Sequence, residues 1–254
     1  MIIDFNNKPL KIKKKGKIYP VDVELCNENG KDILYISTKV YFVDCIDEDE
    51  VDIRGWKKAV LQGFCDWSGD YQVFGGQALS VIVSAIEAEK ITDSVVVFGF
   101  NHEMSKHLID TYGKLNIQKA KKFFEQDRSF AAARFPIIGW KSYLPRLVYM
   151  LPGTLEDFEY ARVVARHEFG HILGIGDLYQ DTEIGLQGVD ETKYIDIEKY
   201  YIGDNVFDMV MCNAGTVRDN DIEMVLLAFQ TNKFQNYQKM KKNDKISEAL
   251  GKGN

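Results

Sequence analysis

The chain has 254 residues, of which 45% are hydrophobic and 28% are charged, and its formal net charge is −6. This length allows one large domain or two small ones, and the composition is that of a globular protein. No apolar run is long enough to span a bilayer, and the four cysteines are scattered without a CxxC pair, which excludes a disulfide scaffold and favours reduced thiols.

The charge is unevenly distributed along the chain. Residues 1–17 hold six lysines and one aspartate, and residues 233–254 hold six lysines and two acidic residues, so the body between them is acidic. An acidic body argues against nucleic acid as a partner, and we interpret the lysine-rich ends as solvated tails. The first residues, MIIDFNN, lack a basic start followed by an apolar block. They therefore predict no secretory signal and a cytoplasmic location, with non-classical export as the alternative.

The N-terminal half predicts strands around one amphipathic helix. Residues 34–44 are rich in β-branched and aromatic residues and predict a strand, as do residues 78–87 and 95–100. Residues 50–67 predict a helix, because apolar residues recur on one of its faces. These residues are Ile53, Trp56, Val60, Phe64 and Trp67. Residues 101–130 are polar and predict helix or loop.

The C-terminal half predicts a strand pair and two helices. Residues 131–151 indicate two strands joined by a turn near Ser142, and Pro136 suits an edge strand. A helix then begins at the predicted N-cap Thr154, with Glu156 and Asp157 in its first turn, and runs to about Leu173 before Gly174. Residues 175–215 have little periodicity, and residues 216–232 predict a closing helix. Its apolar face is formed by Ile222, Val225, Leu226 and Phe229. The predicted fold class is α/β (α+β): a mixed twisted sheet with a backing helix, a second long helix and a small irregular or helical C-terminal lobe.

The second long helix contains the sequence ARHEFGHILGIGDLY, residues 165–179. At about 100° per residue, His167 and His171 lie about 40° apart around the helix and one turn apart along it, so both imidazoles can reach one metal ion. Glu168 is offset by one residue, where a general base would sit. This H-E-x-x-H pattern is a zinc signature, because zinc lowers the pKa of a bound water and a carboxylate takes its proton.

A third ligand is expected, because catalytic zinc sites usually have three from the protein. Gly174 follows His171 by three residues and allows the chain to turn out of the helix. Asp177 follows three residues later and is the predicted oxygen ligand. The complete pattern is H-E-x-x-H-x-x-G-x-x-D.

This pattern resembles the metzincin clan of zinc peptidases, and an aspartate as third ligand resembles the snapalysin family. The segment GDLY at 176–179 is similar to the one that follows the helix in that family. The segment FDMVMCNAG at 207–215 resembles the clan's methionine turn, with Met211 as the turn methionine and Met209 as the reserve. The following segment TVRDNDIEMVLLAF resembles the family's C-terminal helix, and the strand pair before the zinc helix corresponds to the clan's substrate-binding edge strand.

The resemblance implies a zincin fold and a zinc-dependent endopeptidase with one catalytic Zn²⁺ and a peptide or protein substrate. The acidic body and the lack of a long apolar run predict neither nucleic acid nor membrane as partner. We predict an N-terminal extension or hairpin over 1–33, one metallopeptidase domain over 34–232 with its cleft between about 34–176 and 177–232, and a lysine-rich tail over 233–254. Two features depart from the pattern. Asn213 stands where some metzincins carry a tyrosine two residues after the turn methionine. Snapalysins are secreted, whereas no secretory signal is predicted for this sequence.

Several alternatives remain open. The protein could be a catalytically silent metal-binding or interaction protein on a zincin scaffold, which would not need Glu168, or a delivered protease toxin or effector. A glutamate ligand at Glu191 or Glu198 would indicate a gluzincin, although Gly174 and Met211 argue against it. The acidic residues of 181–208 are candidates for structural Ca²⁺, although their spacing is not that of an EF-hand. Cys26 is a candidate zinc latch, and His102 and His107 are interpreted as loop histidines, because five residues separate them.

Overall fold

The computed structural model describes residues 1–16, 19–43, 52–90, 95–99, 130–132, 146–150, 152–176, 210–213 and 215–235. In these ranges the protein is mixed α/β. The described strands are β1 Lys13–Lys14, β2 Asp22–Glu28, β3 Lys31–Val43, β4 Gly69–Val73, β5 Gln77–Glu87, β6 Val95–Gly99, β7 Phe130–Ala132 and β8 Leu147–Met150. The described helices are α1 Ile53–Cys65, α2 Phe158–Ile172, α3 Val210–Asn213 and α4 Asp219–Thr231, and a 3₁₀ turn spans Pro152–Leu155.

The eight described strands form one mixed sheet around β3. Strand β3 has thirteen residues and pairs with different neighbours along its length. Its first half pairs antiparallel with β2, and Val40–Val43 pair parallel with β6. Strand β5 pairs parallel with β3, and β4 pairs antiparallel with β5. At the other end of the sheet, β8 pairs parallel with β6, and β7 pairs antiparallel with β8. Of the described strands, β7 therefore lies at one edge of the sheet.

Helix α2 packs closely on helix α1, and this contact holds α2 in place. A Cβ atom added at Gly63 would overlap the carbonyl oxygen of Arg162 and lie 2.9 Å from the Cβ of Ala165, so a side chain at that position would force the two helices apart. The rings of Phe64 and Phe169 stack with their centroids 4.4 Å apart. Both phenylalanines are fully buried. The contact is thus a dry, tightly packed interface that fixes the back face of α2.

A charged cluster at the rim of this interface adds a directed contact. Arg162 donates from Nε and Nη2 to the two carboxylate oxygens of Asp66, at 2.8 and 2.9 Å. Asp66 follows the last residue of α1, so this bidentate pair joins the end of one helix to the middle of the other. Because its geometry is planar and bidentate, such a pair fixes orientation more strongly than a single ion contact.

The predicted elements are found with shifted bounds. The strand predicted over 34–44 begins earlier, at Lys31, because its first residues pair with β2. The bound predicted at residue 33 therefore falls inside β3. Helix α1 ends at Cys65, so Trp67 lies outside it, although Trp67 is buried in the same core. Strand β4 was not predicted, because GDYQV has only a short alternation.

The predicted N-cap Thr154 is wrong. Helix α2 begins after Asp157, whose side chain accepts a hydrogen bond from the amide of Tyr160, and Glu159 is the acidic residue of the first turn. Thr154 belongs to the preceding 3₁₀ turn, is fully buried, and accepts a hydrogen bond from the indole of Trp56 at 3.4 Å. Aspartate caps helices at least as well as threonine, and Asp157 is the residue directly before the first residue of the helix.

Some predictions lie outside the described residues. These are the polar segment 101–129, the turn near Ser142, and the irregular segment 177–209. The closing helix predicted over 216–232 is found as α4, and its predicted apolar residues Ile222, Val225, Leu226 and Phe229 are all buried. In the part of the chain that the structure describes, no helix has the length and apolarity needed to cross a membrane.

Candidate metal centre

The end of helix α2 is built by a glycine turn. Gly174 has a φ of 95°, which L side chains rarely adopt. The amide of Ile175 donates to the carbonyl of Gly170, and the amide of Gly174 donates to the carbonyl of His171, both at 3.0 Å. These two hydrogen bonds form a Schellman motif, in which the glycine satisfies carbonyls that the helix end would otherwise leave open. The prediction that Gly174 turns the chain out of the helix is confirmed.

The two histidines of the motif lie together on α2. Their ring centroids are 5.1 Å apart and the ring planes are perpendicular. His167 is buried, with 9% of its surface exposed. The Nδ1 atom of His167 lies 2.7 Å from the carbonyl oxygen of Val210, and that of His171 lies 2.8 Å from the carbonyl oxygen of Ile175.

These contacts decide which ring nitrogen carries the proton. A carbonyl oxygen can only accept, so each Nδ1 must donate, and the lone pair of each neutral imidazole is then on Nε2. Metal-binding histidines usually donate their other ring nitrogen to a carbonyl or carboxylate, which fixes the tautomer and the orientation of the ring. The described residues therefore fit a metal ion held by Nε2 of both histidines.

Charged residues lie on both sides of His167 in the sequence, and Glu168 is buried whereas Arg166 is partly buried. Glu168 has 3% of its surface exposed, and it precedes Phe169, which packs into the interface with α1. Arg166 extends toward Asp66, with Nη1 3.6 Å from Oδ2. Burial lowers the pKa of Arg166 and Asp66 raises it in part, but a guanidinium remains protonated in either case. His167 is therefore flanked along the helix by a buried glutamate and a partly buried arginine of opposite charge.

Met211 lies against α2 between the levels of the two histidines. Met211 is fully buried on the short helix α3, directly after Val210, whose carbonyl accepts from His167. A Cβ atom added at Gly170 would overlap the Sδ of Met211 and lie 3.0 Å from Cζ2 of Trp67. Gly170 thus leaves the space that the methionine occupies. The contact agrees with the supporting role that the resemblance implies for Met211.

We expect Met211 to support this site by packing and not as a ligand. Met211→Leu nearly conserves volume, so it should cost less than about 1.5 kcal/mol of unfolding free energy. Gly170→Ala should destabilise the protein, because overpacking against Met211 costs about 1–3 kcal/mol and outweighs the roughly 0.5–1 kcal/mol that alanine gains over glycine in a helix. Urea unfolding of both variants measures the difference.

The two variants also distinguish a packing role of Met211 from a role as a zinc ligand. If Gly170→Ala is as stable as wild type, Met211 has room to move and does not wedge against the helix. If a folded Met211→Leu protein loses all bound zinc, Met211 is a ligand and the packing role is wrong.

The remaining site predictions fall outside the described residues. This holds for Asp177 and Met209, for the alternative ligands Glu191 and Glu198, for the acidic calcium candidates of 181–208, and for His102 and His107. Among the residues that are described, no group of three or more His, Cys, Asp and Glu side chains is arranged to hold a metal ion. The structure thus brings His167 and His171 together, and the identity of a third ligand stays a prediction.

Cys26, the candidate latch, lies on β2. Its Sγ atom is 3.6 Å from a carboxylate oxygen of Glu28 and 3.8 Å from the carbonyl oxygen of Ile33. Burial raises the pKa of this thiol, and Glu28 raises it further. Zinc binds the thiolate form, so this environment makes Cys26 a poor ligand.

No protein-family model matches the chain, and neither a curated protein nor a solved structure matches it. The resemblance to metzincins therefore stands on the residues of the motif and on the arrangement of the side chains around it.

Proposed function

We propose that this protein is a zinc-dependent endopeptidase on a zincin fold of the metzincin type, close to the snapalysins. The observation that carries the proposal is the pair of hydrogen bonds from Nδ1 of His167 and His171 to backbone carbonyls. When both histidines donate from Nδ1, each carries its lone pair on Nε2, the nitrogen through which such a ring binds a metal.

Each residue of the site has a distinct role in this proposal. His167 and His171 hold the metal through Nε2, and Asp177 is the third ligand. A zinc ion bound there would supply a Lewis acid and lower the pKa of a bound water. Glu168 accepts the proton of the attacking water and passes it to the leaving amine. The burial of Glu168 supports this role, because buried carboxylates are found beside a compensating charge or metal.

The antiparallel strand β7 supports a peptide as the substrate. It pairs on one side with β8, and the order of the described strands ends with it. An edge strand can bind an extended peptide by adding it to the sheet, because its free amides and carbonyls pair with those of the peptide. This arrangement corresponds to the edge strand that the resemblance implies for the substrate.

The proposal is tested by metal analysis together with a peptide cleavage screen. Protein purified with zinc present should hold one equivalent of zinc and cleave members of a proteome-derived peptide library, and chelation should abolish cleavage. His167→Ala should lose the zinc. His107→Ala is the matched control, because it also replaces one of the four histidines and should keep both metal and activity.

The outcomes separate the proposal from its alternatives. Wild-type protein without zinc, or equal loss of zinc in both histidine variants, contradicts the metal site. Zinc bound in full with no cleavage of any peptide indicates the catalytically silent metal-binding protein.

A further inference from the structure

The segment after helix α4 lies beside the end of helix α2. The amide of Gln235 donates to the carbonyl of Gly174 at 2.8 Å, and the carbonyl of Gln235 accepts from the amide of Gly176 at 2.7 Å. The two contacts form a parallel bridge between Ile175 and Gln235. In this way a residue 60 positions later in the chain than Ile175 pairs with the backbone next to His171.

A left-handed residue directs the chain into this bridge. Asn232 has a φ of 54° and ends α4, and the amide of Lys233 donates to the carbonyl of Ala228 at 3.3 Å. The side chain of Asn232 accepts from the hydroxyl of Tyr19 at 2.6 Å. Asparagine is one of the few residues other than glycine that adopts this conformation readily. The left-handed turn at Asn232 therefore sets the direction in which residues 233–235 run.

Two peptide planes connect the bridge to the metal-binding helix. The peptide between Ile175 and Gly176 presents its carbonyl to Nδ1 of His171 and its amide to Gln235. The preceding peptide, between Gly174 and Ile175, presents its carbonyl to Gln235 and its amide to Gly170. Because a trans peptide is planar, its carbonyl and amide point in opposite directions and move as one unit. When Gln235 holds one edge of each plane, it fixes the other edge against the helix.

We propose that the backbone of residues 232–235 is a positioning element for the metal centre. It fixes the Ile175 carbonyl that sets the tautomer and ring orientation of His171, and it holds Gly176, the residue directly before Asp177. The inference rests on the proposed function in that it concerns the same site. It assigns a role to a segment that the sequence placed in a solvated tail.

The test compares a variant that removes the backbone amide hydrogen of Gln235 with a control variant that keeps it. Gln235→Pro removes the amide that donates to Gly174, whereas Gln235→Ala removes only the side chain, which contacts Thr231 and Lys233. Full-length Gln235→Pro should bind zinc about 10–100-fold more weakly than wild type, the loss typical of a removed outer-shell partner. Gln235→Ala should bind zinc like wild type. Zinc affinity is measured by competition with a chelator.

A second measurement uses the metal-free protein. At a pH well above the usual imidazole pKa, ¹⁵N spectra of the four histidines report the tautomer of His171. Wild type and Gln235→Ala should have the proton on Nδ1, and Gln235→Pro should populate both tautomers. If wild type binds no zinc, the proposed function fails, while this measurement still decides the inference.

A second pair of variants guards against a proline variant that does not fold. Asn232→Gly and Asn232→Val both lose the contact with Tyr19, but glycine adopts the left-handed conformation easily and valine does not. Asn232→Val should weaken zinc binding and mix the tautomers of His171, and Asn232→Gly should do neither. Unchanged zinc affinity and a single Nδ1–H tautomer in folded Gln235→Pro or Asn232→Val would overturn the inference.

Discussion

Glu168→Gln is expected to lower peptide hydrolysis by at least about 10²-fold, the usual scale for a lost general acid–base group. Glutamine has nearly the same shape, so the packing of this buried position should persist and the protein should keep its zinc. The amide cannot accept a proton from water at neutral pH, so the chemical step should slow while substrate binding remains. The measurement is kcat and KM on a peptide that wild type cleaves, with zinc content determined on the same sample.

Glu159→Gln is the matched control for this experiment. Glu159 lies on the same helix in its first turn, is 73% exposed, and forms only an exposed ion pair with Arg162 at 3.6 Å. Such pairs contribute little to stability, so this variant should cleave like wild type. Near-normal turnover of Glu168→Gln with full zinc would show that another group takes the proton.

The parts of the site that follow from periodicity could be predicted from the sequence. In a helix, residues four apart lie on the same face, so the spacing of His167 and His171 predicted that their side chains would lie together. Their ring centroids are 5.1 Å apart. Gly174 predicted the end of that helix, because a turn with positive φ strongly favours a residue without a Cβ. The apolar face of α4 followed in the same way from its repeat, and all four predicted residues are buried.

The parts that depend on backbone groups could not be predicted. Val210 lies 43 residues from His167, and the carbonyl that it offers is the same in every residue type, so the sequence carries no signal for it. Gln235 pairs through its backbone for the same reason, and its lysine-rich surroundings indicated a solvated tail. The shift of the cap from Thr154 to Asp157 shows a further limit, because both residue types cap helices and the sequence does not show that the hydroxyl of Thr154 accepts from the indole of Trp56.

Asp177→Ala is expected to weaken zinc binding by more than about 100-fold and to abolish activity, since the loss of a ligand should exceed the 10–100-fold typical of an outer-shell partner. Three observations support Asp177 as the third ligand. It follows Gly174 by three residues, and Gly174 forms the turn at the helix end. It comes directly after Gly176, whose amide is held by Gln235 at 2.7 Å. No histidine follows His171 in the sequence, so an imidazole from the downstream chain is excluded.

The decisive measurement is zinc affinity across single alanine variants of Asp177, Asp181, Glu183, Glu191 and Glu198, which share the loss of one carboxylate. Only Asp177→Ala should lose zinc, and the other four serve as matched controls for the change in charge. Asp177→His should retain the metal, because imidazole is itself a common zinc ligand. If Asp177→Ala binds zinc as tightly as wild type and Glu191→Ala or Glu198→Ala loses it, the third ligand is a glutamate, and the site belongs to the gluzincin type.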